Sequence, residues 1–249
     1  MPVVGARTLC APLHRPAARR AAGAAASAAR PPSLQPWQLE VRRGFLPLED
    51  AAAVASLLAE AFAASAGGAA GALGAAPPPP PASGVHKMRL VAALQARAAA
   101  QGALFTTVTA WGAPSPSGRR ALLGVATAAP GLEQTVDSSA EAALGLARAS
   151  GSRVAGLSNM AVTAAWRRRG LGRALLATAE AAVGAWPCPP EAIALAVYVT
   201  NTSARALYAS AGYSPVDAWV DPRWREAAER GRLGPARRLL LARRVDAAP

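Results

Sequence analysis

Arg167, Arg168, Arg169, Gly170, Gly172 and Arg173 crowd four cations and two glycines into one short turn. The apolar run Val154–Val162 before them reads as a strand, and a helical pattern runs from Gly170 to about Ala185. A strand, a glycine-bearing turn and a helix start together form an anion cradle. Backbone N–H groups point outward there, and glycine lets a phosphate come close. A cation at the positive end of a helix costs about 0.3–1 kcal/mol unless an anion is present. A solvated basic helix start is the plainer alternative, and it carries that cost four times over. One tight turn suits a compact pyrophosphate better than a long nucleic-acid backbone. The spacing matches neither G-x-x-x-x-G-K-[ST] nor an early G-x-G-x-x-G.

Arg167-x-x-Gly170-x-Gly172 resembles the R/Q-x-x-G-x-G/A signature of the GNAT superfamily of acetyl-CoA-dependent N-acyltransferases. A second block, Asn201-Thr-Ser-Ala204-Arg-Ala-Leu207-Tyr208-Ala-Ser-Ala-Gly212-Tyr213, is similar to that family's N-x-x-A-x-x-L-Y-x-x-x-G-[FY] helix. The apolar helical stretch Leu48–Phe62 resembles the family's opening helix. The resemblance spans about residues 37–245. It implies an α/β fold of the acyl-CoA N-acyltransferase type, with a mixed central sheet flanked by helices.

The resemblance also implies roles. Met160, Ala161 and Val162 would meet the pantetheine arm of acetyl-CoA through their backbones. The turn and helix start (Arg167, Arg168, Arg169, Gly170, Leu171, Gly172 and Arg173) would hold the pyrophosphate. Asn201 would touch the pantetheine region, and Tyr208 would serve the leaving sulfur. Elementary chemistry agrees with the last role. A thiol of pKa about 8.5 leaves as thiolate, and a phenol of pKa about 10 can protonate or hydrogen-bond it. A strand-end N–H at Ala161–Val162 can hold the developing oxyanion. Each of the two side chains has a plainer reading too: Tyr208 as a packed aromatic, Asn201 as a helix cap. Metal is required by nothing in the chain.

One position departs from the pattern. Ala196 stands where bacterial ribosomal-protein N-terminal acetyltransferases carry a Glu base five residues before the motif Asn. A lysine of pKa about 10.4 costs about 4–5 kcal/mol to deprotonate at pH 7, an α-amine of about 7.7–8.0 only about 1–1.4. The missing base therefore tilts the expected acceptor toward protein N-termini, with lysine side chains second. A small-molecule acetyltransferase acting on a polyamine or amino-sugar would share every cofactor residue. Its acceptor wall would come from residues 65–101 and 216–232.

The elements that must position these residues follow from periodicity. Trp37–Phe45 alternates like a half-buried strand. Glu49 and Asp50 open an apolar helix ending near Ala64, and residues 65–84 read as a flexible Ala/Gly/Pro-rich insert. A helix is expected over His86–Gln101 with Met88, Val91 and Leu94 on one face. Strands are expected at Ala103–Trp111 and Arg120–Ala128 around a long turn from Gly112 to Gly118, and Ser138 with Glu141 has capping-box spacing. Strands at Val154–Val162, Ala192–Thr200, Tyr213–Val220 and Arg237–Val245 complete the set, with a helix over Ser203–Ala211. The predicted order is β-α-α-β-β-β-α-β-α-β-β, parallel only around the later helices.

Length and composition bound the rest. The chain has 249 residues, 52% hydrophobic and largely alanine, enough to fold as one domain from residue 37. Cys10 and Cys188 are too few for a disulfide scaffold, and no apolar run approaches a membrane span. The net charge of +13 keeps nucleic acid in view as a partner. However, only 5% of residues are aromatic, and the densest Arg cluster coincides with the turn, so nucleic acid is disfavoured. Residues 1–36 are rich in Ala and Arg and lack acids, the composition of an organelle transit peptide. A chloroplast is expected ahead of a mitochondrion, with a disordered basic tail on a cytoplasmic protein as the alternative.

Overall fold

The computed structural model describes residues 37–71, 84–113, 120–132, 143–145, 154–216 and 238–245. Seven strands form one sheet: β1 (Trp37–Arg43), β2 (Thr106–Gly112), β3 (Leu122–Pro130), β4 (Val154–Val162), β5 (Ala192–Tyr198), β6 (Ser214–Pro215) and β7 (Arg238–Arg244). The spatial order is β1-β2-β3-β4-β5-β7-β6. Every neighbouring pair is antiparallel except β4–β5. That parallel pair needs a crossover, and α3 (Leu171–Gly184) supplies it. The other helices are α1 (Leu48–Gly71), α2 (Gly84–Gln101) and α4 (Thr202–Ser210). The element order is the one expected from periodicity.

The sheet is buried on both faces. On one face α3 lays Leu171, Leu175, Leu176, Ala179 and Val183 against Val108, Leu123 and Ala126. On the other, Val54, Leu57 and Leu58 of α1 and Leu94 and Ala98 of α2 cover Phe105, Val125 and Ala129. Three threonines of β2 are buried with them, and Trp186 Nε1 donates to Thr106 Oγ1 at 3.2 Å. Gln95 Nε2 donates to the Leu46 carbonyl at 2.7 Å, tying α2 to the start of α1.

Two expectations need correction. Helix α1 runs to Gly71, so residues 65–71 are helical rather than loop. The alanines around them have the highest helix propensity and carry the helix through Gly67 and Gly68. Met88 is 73% exposed, so it does not share the buried face of α2, which holds Leu94 and Ala98. The strand expected over Tyr213–Val220 is described only as far as 216, and there it pairs just two residues, Ser214 and Pro215. Residues 1–36, most of the 112–118 turn, the capping-box site at 138–141 and residues 217–237 lie outside the described residues.

The parallel pairing of β4 and β5 is short. It joins Val154, Ala155 and Gly156 to Ala192, Ile193 and Ala194, and then the strands part. From Leu157 to Val162, β4 keeps β3 on one edge and, among the described residues, has no strand on the other. Gly156 sits at the fork. A Cβ there would overlap the Gly131 carbonyl oxygen and lie 2.9 Å from Leu132 Cα, both backbone atoms. Gly156→Ala should therefore destabilise the fold by about 2–3 kcal/mol. A urea midpoint shifted at unchanged m-value checks this, and an unshifted midpoint would show that the fork tolerates a methyl group.

Candidate functional site: a split sheet beside a glycine turn

The open edge of β4 is shaped by a bulge. Val125 faces Ala161 and Thr127 faces Ser158, so two steps on β3 oppose three on β4. The extra residue falls at Asn159–Met160, and Asn159 takes φ 51°. Asparagine tolerates that left-handed conformation better than most side chains. Its Nδ2 donates to Thr127 Oγ1 at 3.1 Å, while Thr127 Oγ1 and Ser158 Oγ lie 2.9 Å apart. Arg97 of α2 reaches the same group, 3.4 Å from Ser158 Oγ. The bulge falls where β4 has parted from β5, at the start of the segment Met160, Ala161 and Val162. Periodicity placed these three on a strand but gave no sign of the bulge. An Asn within the motif segment was the one hint.

A one-turn 3-10 helix, Ala164–Trp166, carries the chain from β4 into the basic turn. Trp166 packs edge-on against Trp37 of β1, with centroids 5.9 Å apart, which anchors the turn to the far edge strand. The turn then needs two left-handed residues, Arg168 at φ 62° and Gly170 at φ 83°. Gly170 is the N-cap of α3 and provides no side-chain cap. The first intrahelical bond runs from Ala174 N–H to the Gly170 carbonyl at 3.0 Å. The N–H groups of Leu171, Gly172 and Arg173 therefore head the helix without intrahelical acceptors. Gly172 answers a different need: a Cβ there would lie 3.3 Å from Leu207 Cδ2 and 3.8 Å from Met160 Cε. It brings α4 and the bulge close to the helix start.

The four arginines are exposed and meet only neutral partners. Arg167 Nε donates to the Val162 carbonyl at 3.1 Å. The Arg169 guanidinium lies 5.2 Å from the Trp166 ring centre, and Arg173 donates to Ser210 Oγ at 3.3 Å. Arg168 makes no hydrogen bond or ion pair among the described residues. With no carboxylate among these partners, the positive potential of the helix start is left uncompensated by side chains.

Asn201 caps α4, its Oδ1 accepting from Ala204 N–H at 3.1 Å. Two turns later Tyr208 is buried, 8% exposed. Its hydroxyl donates to Met160 Sδ at 3.5 Å, so the phenol reaches the bulged strand directly. Burial pushes its pKa up to about 12. A second network, which the sequence did not reveal, holds this tyrosine in place. Tyr213 N–H donates to the Tyr208 carbonyl at 3.0 Å, and the two rings meet edge-on. Tyr213 OH donates to Glu180 Oε1 at 2.8 Å, and Arg243 pairs with the other carboxylate oxygen at 3.3 Å. Burial and the Glu180 charge both push the Tyr213 pKa up. Glu180 is thus occupied by structural partners. Ala196 is half-buried on β5 and brings no base, while Tyr198 ends that strand 39% exposed.

The structure brings Met160, the glycine turn and Tyr208 together. Met160–Val162 form the open strand end, Arg167–Arg173 the turn and helix start, and Tyr208 reaches the strand end from α4. Asn201 is set apart from the turn, at the head of α4.

Residues 119–213 match the model of the acetyltransferase (GNAT) family. No curated protein matches the chain. Among solved structures, it is similar to a GCN5-related N-acetyltransferase from Kribbella flavida, with 23% identity and a TM-score of 0.48 over 83% of this chain and 98% of that one. It is also similar to the ribosomal-protein-S18-alanine N-acetyltransferase from Escherichia coli, with 17% identity, 85% and 97% coverage and a TM-score of 0.44. A third is NAA60 of Arabidopsis thaliana in complex with a bisubstrate analogue, with 17% identity, 58% and 78% coverage and a TM-score of 0.41. The match to the acetyltransferase (GNAT) family model covers β3, β4, α3, β5 and α4, the elements that carry the basic turn and Tyr208.

Proposed function

We propose that this domain transfers the acetyl group of acetyl-CoA to amines on proteins, N-terminal α-amines first and lysine side chains second. One observation carries the reading: an uncapped helix start with left-handed Gly170 lies beside an open strand end that a buried phenol reaches. Leu171, Gly172 and Arg173 would offer their N–H groups to the pyrophosphate, with Arg167, Arg168 and Arg169 around it. The open edge of Met160–Val162 would pair with the pantetheine amides and hold the oxyanion. Asn201 keeps its amide N–H2 for the same arm while its oxygen caps the helix.

The amine attacks the thioester carbonyl in a ternary complex, the nitrogen gives up its proton to solvent water, and the C–S bond then breaks to release a thiolate. A phenol at about 12 lies well above a thiol at about 8.5, so full proton transfer from Tyr208 runs uphill by about 5 kcal/mol. Tyr208 therefore acts by donating a hydrogen bond to the departing sulfur. No carboxylate stands at Ala196 to deprotonate the amine, which favours acceptors that keep a substantial neutral fraction near pH 7–8. The acid-free, Arg-rich composition of residues 1–36 supports action in an organelle, a plastid ahead of a mitochondrion.

The test is a peptide library with either a free N-terminus or an internal lysine, read by mass spectrometry. Acetylation of α-amines at a rate at least about tenfold above lysine is expected, from the pKa difference between them. Transfer to polyamines or amino-sugars with none to either peptide class would overturn the reading.

A further inference from the structure

We infer that Met160 is a redox-sensitive modification site whose oxidation to the sulfoxide withdraws the Tyr208 phenol from the acyl-transfer centre. The inference rests on the proposed role of Tyr208. Three placements carry it. The Met160 sulfur is the hydrogen-bond acceptor of the Tyr208 hydroxyl, at 3.5 Å. The Met160 methyl group lies against the start of α3, 3.8 Å from where a Cβ on Gly172 would stand. The side chain is only partly buried, on the open edge where β5 has left β4, and so is within reach of a small oxidant.

A thioether sulfur is a weak acceptor, so the phenol exchanges it readily for another sulfur, such as that of a thioester or thiolate. A sulfoxide oxygen is polar and a strong acceptor. It stands one S–O bond out from the same sulfur, on the side chain the phenol already faces. Oxidation thus converts an easily broken contact into a competing one. A hydroperoxide is the oxidant: its O–O bond breaks, an S–O bond forms, the sulfur gives up two electrons, and hydrogen peroxide leaves as water. The change is reversible by the reductases that act on methionine sulfoxide.

The sequence makes the test clean, because the chain has three methionines, Met1, Met88 and Met160. The full chain is treated with graded hydrogen peroxide and then with a thiol reductant, which reverses cysteine oxidation but leaves the sulfoxide. Peptide mass spectrometry gives the Met160 sulfoxide fraction, and kcat is measured on an acceptor peptide. We expect kcat to fall in step with that fraction, at least about tenfold at full conversion, and to recover with methionine sulfoxide reductase. M88L should respond to peroxide as the parent does. M160L, whatever its own starting rate, should change less than twofold, and so should the residual rate of Y208F.

Full Met160 oxidation at unchanged kcat would overturn the inference. So would M160L losing its rate to peroxide as the parent does, or Met160 staying reduced while Met88 is fully oxidised. An active enzyme indifferent to the sulfoxide sinks this inference alone, whereas unoxidised protein that acetylates no amine sinks the functional reading and this inference with it.

Discussion

Replacing the Tyr208 hydroxyl by hydrogen, in Tyr208→Phe, should lower kcat about a hundredfold while acetyl-CoA affinity stays within about twofold. The magnitude follows from the role. A preorganised donor to a developing anion in a water-poor site is worth about 3 kcal/mol, or roughly two powers of ten in rate. The fold should tolerate the change, because the ring keeps its edge-on contact with Tyr213 and loses only a bond to a thioether. Single-turnover kinetics with calorimetric Kd values would separate the two effects. An unchanged kcat would return Tyr208 to the role of a packed aromatic.

The pH behaviour tests the same residue with a defined sign. With its pKa at about 12, the folded phenol stays protonated wherever the enzyme is assayed, so it adds no basic limb to kcat below that value. The unfolded phenol ionises near pKa about 10. The stability that neutral Tyr208 contributes is therefore complete below about pH 10 and is lost as pH rises toward 12. Tyr213, raised as well, pulls in the same direction. Tyr208→Phe should flatten part of that alkaline slope without touching stability at neutral pH.

What the sequence made legible depended on how local the physics was. Strand β4 was read with the bounds the structure gives it, because nine half-apolar residues followed by a glycine turn admit few other forms. The turn and its helix were legible for the same reason: uncapped N–H groups, glycines and cations are neighbours in the chain. The β4 bulge was not, because it is a mismatch of register between two strands, visible only when Val125 and Thr127 meet Ala161 and Ser158. The network behind Tyr208 was hidden for a like reason. Glu180, Tyr213 and Arg243 sit on different elements and become a unit only after the sheet brings β7 beside α3 and α4. Met88 misled because its helical spacing fits the buried face of α2, yet among the described residues nothing packs over the start of that helix to cover it.

Gly170→Val should weaken acetyl-CoA binding by about tenfold to a hundredfold while leaving acetyl-pantetheine binding within about twofold. A Cβ at Gly170 would meet no atom of the described residues within 4 Å, so the added branch starts in open space. What remains is conformation and the anion. Gly170 holds φ 83°, where an L side chain costs roughly 1–2 kcal/mol and a β-branched one more. The turn can relieve that strain only by rotating, and rotation re-aims the N–H groups of Leu171 and Gly172. Those are the groups the diphosphate would need, and one power of ten in affinity is about 1.4 kcal/mol. Acetyl-pantetheine carries the thioester and the arm but no diphosphate, so it feels the strand end and Tyr208 and not the turn. Calorimetry on both ligands separates the outcomes. An equal loss for both would assign Gly170 to packing of the whole site. No loss for either would mean that the phosphates are held elsewhere, leaving the arginine turn without the anion that its four cations require.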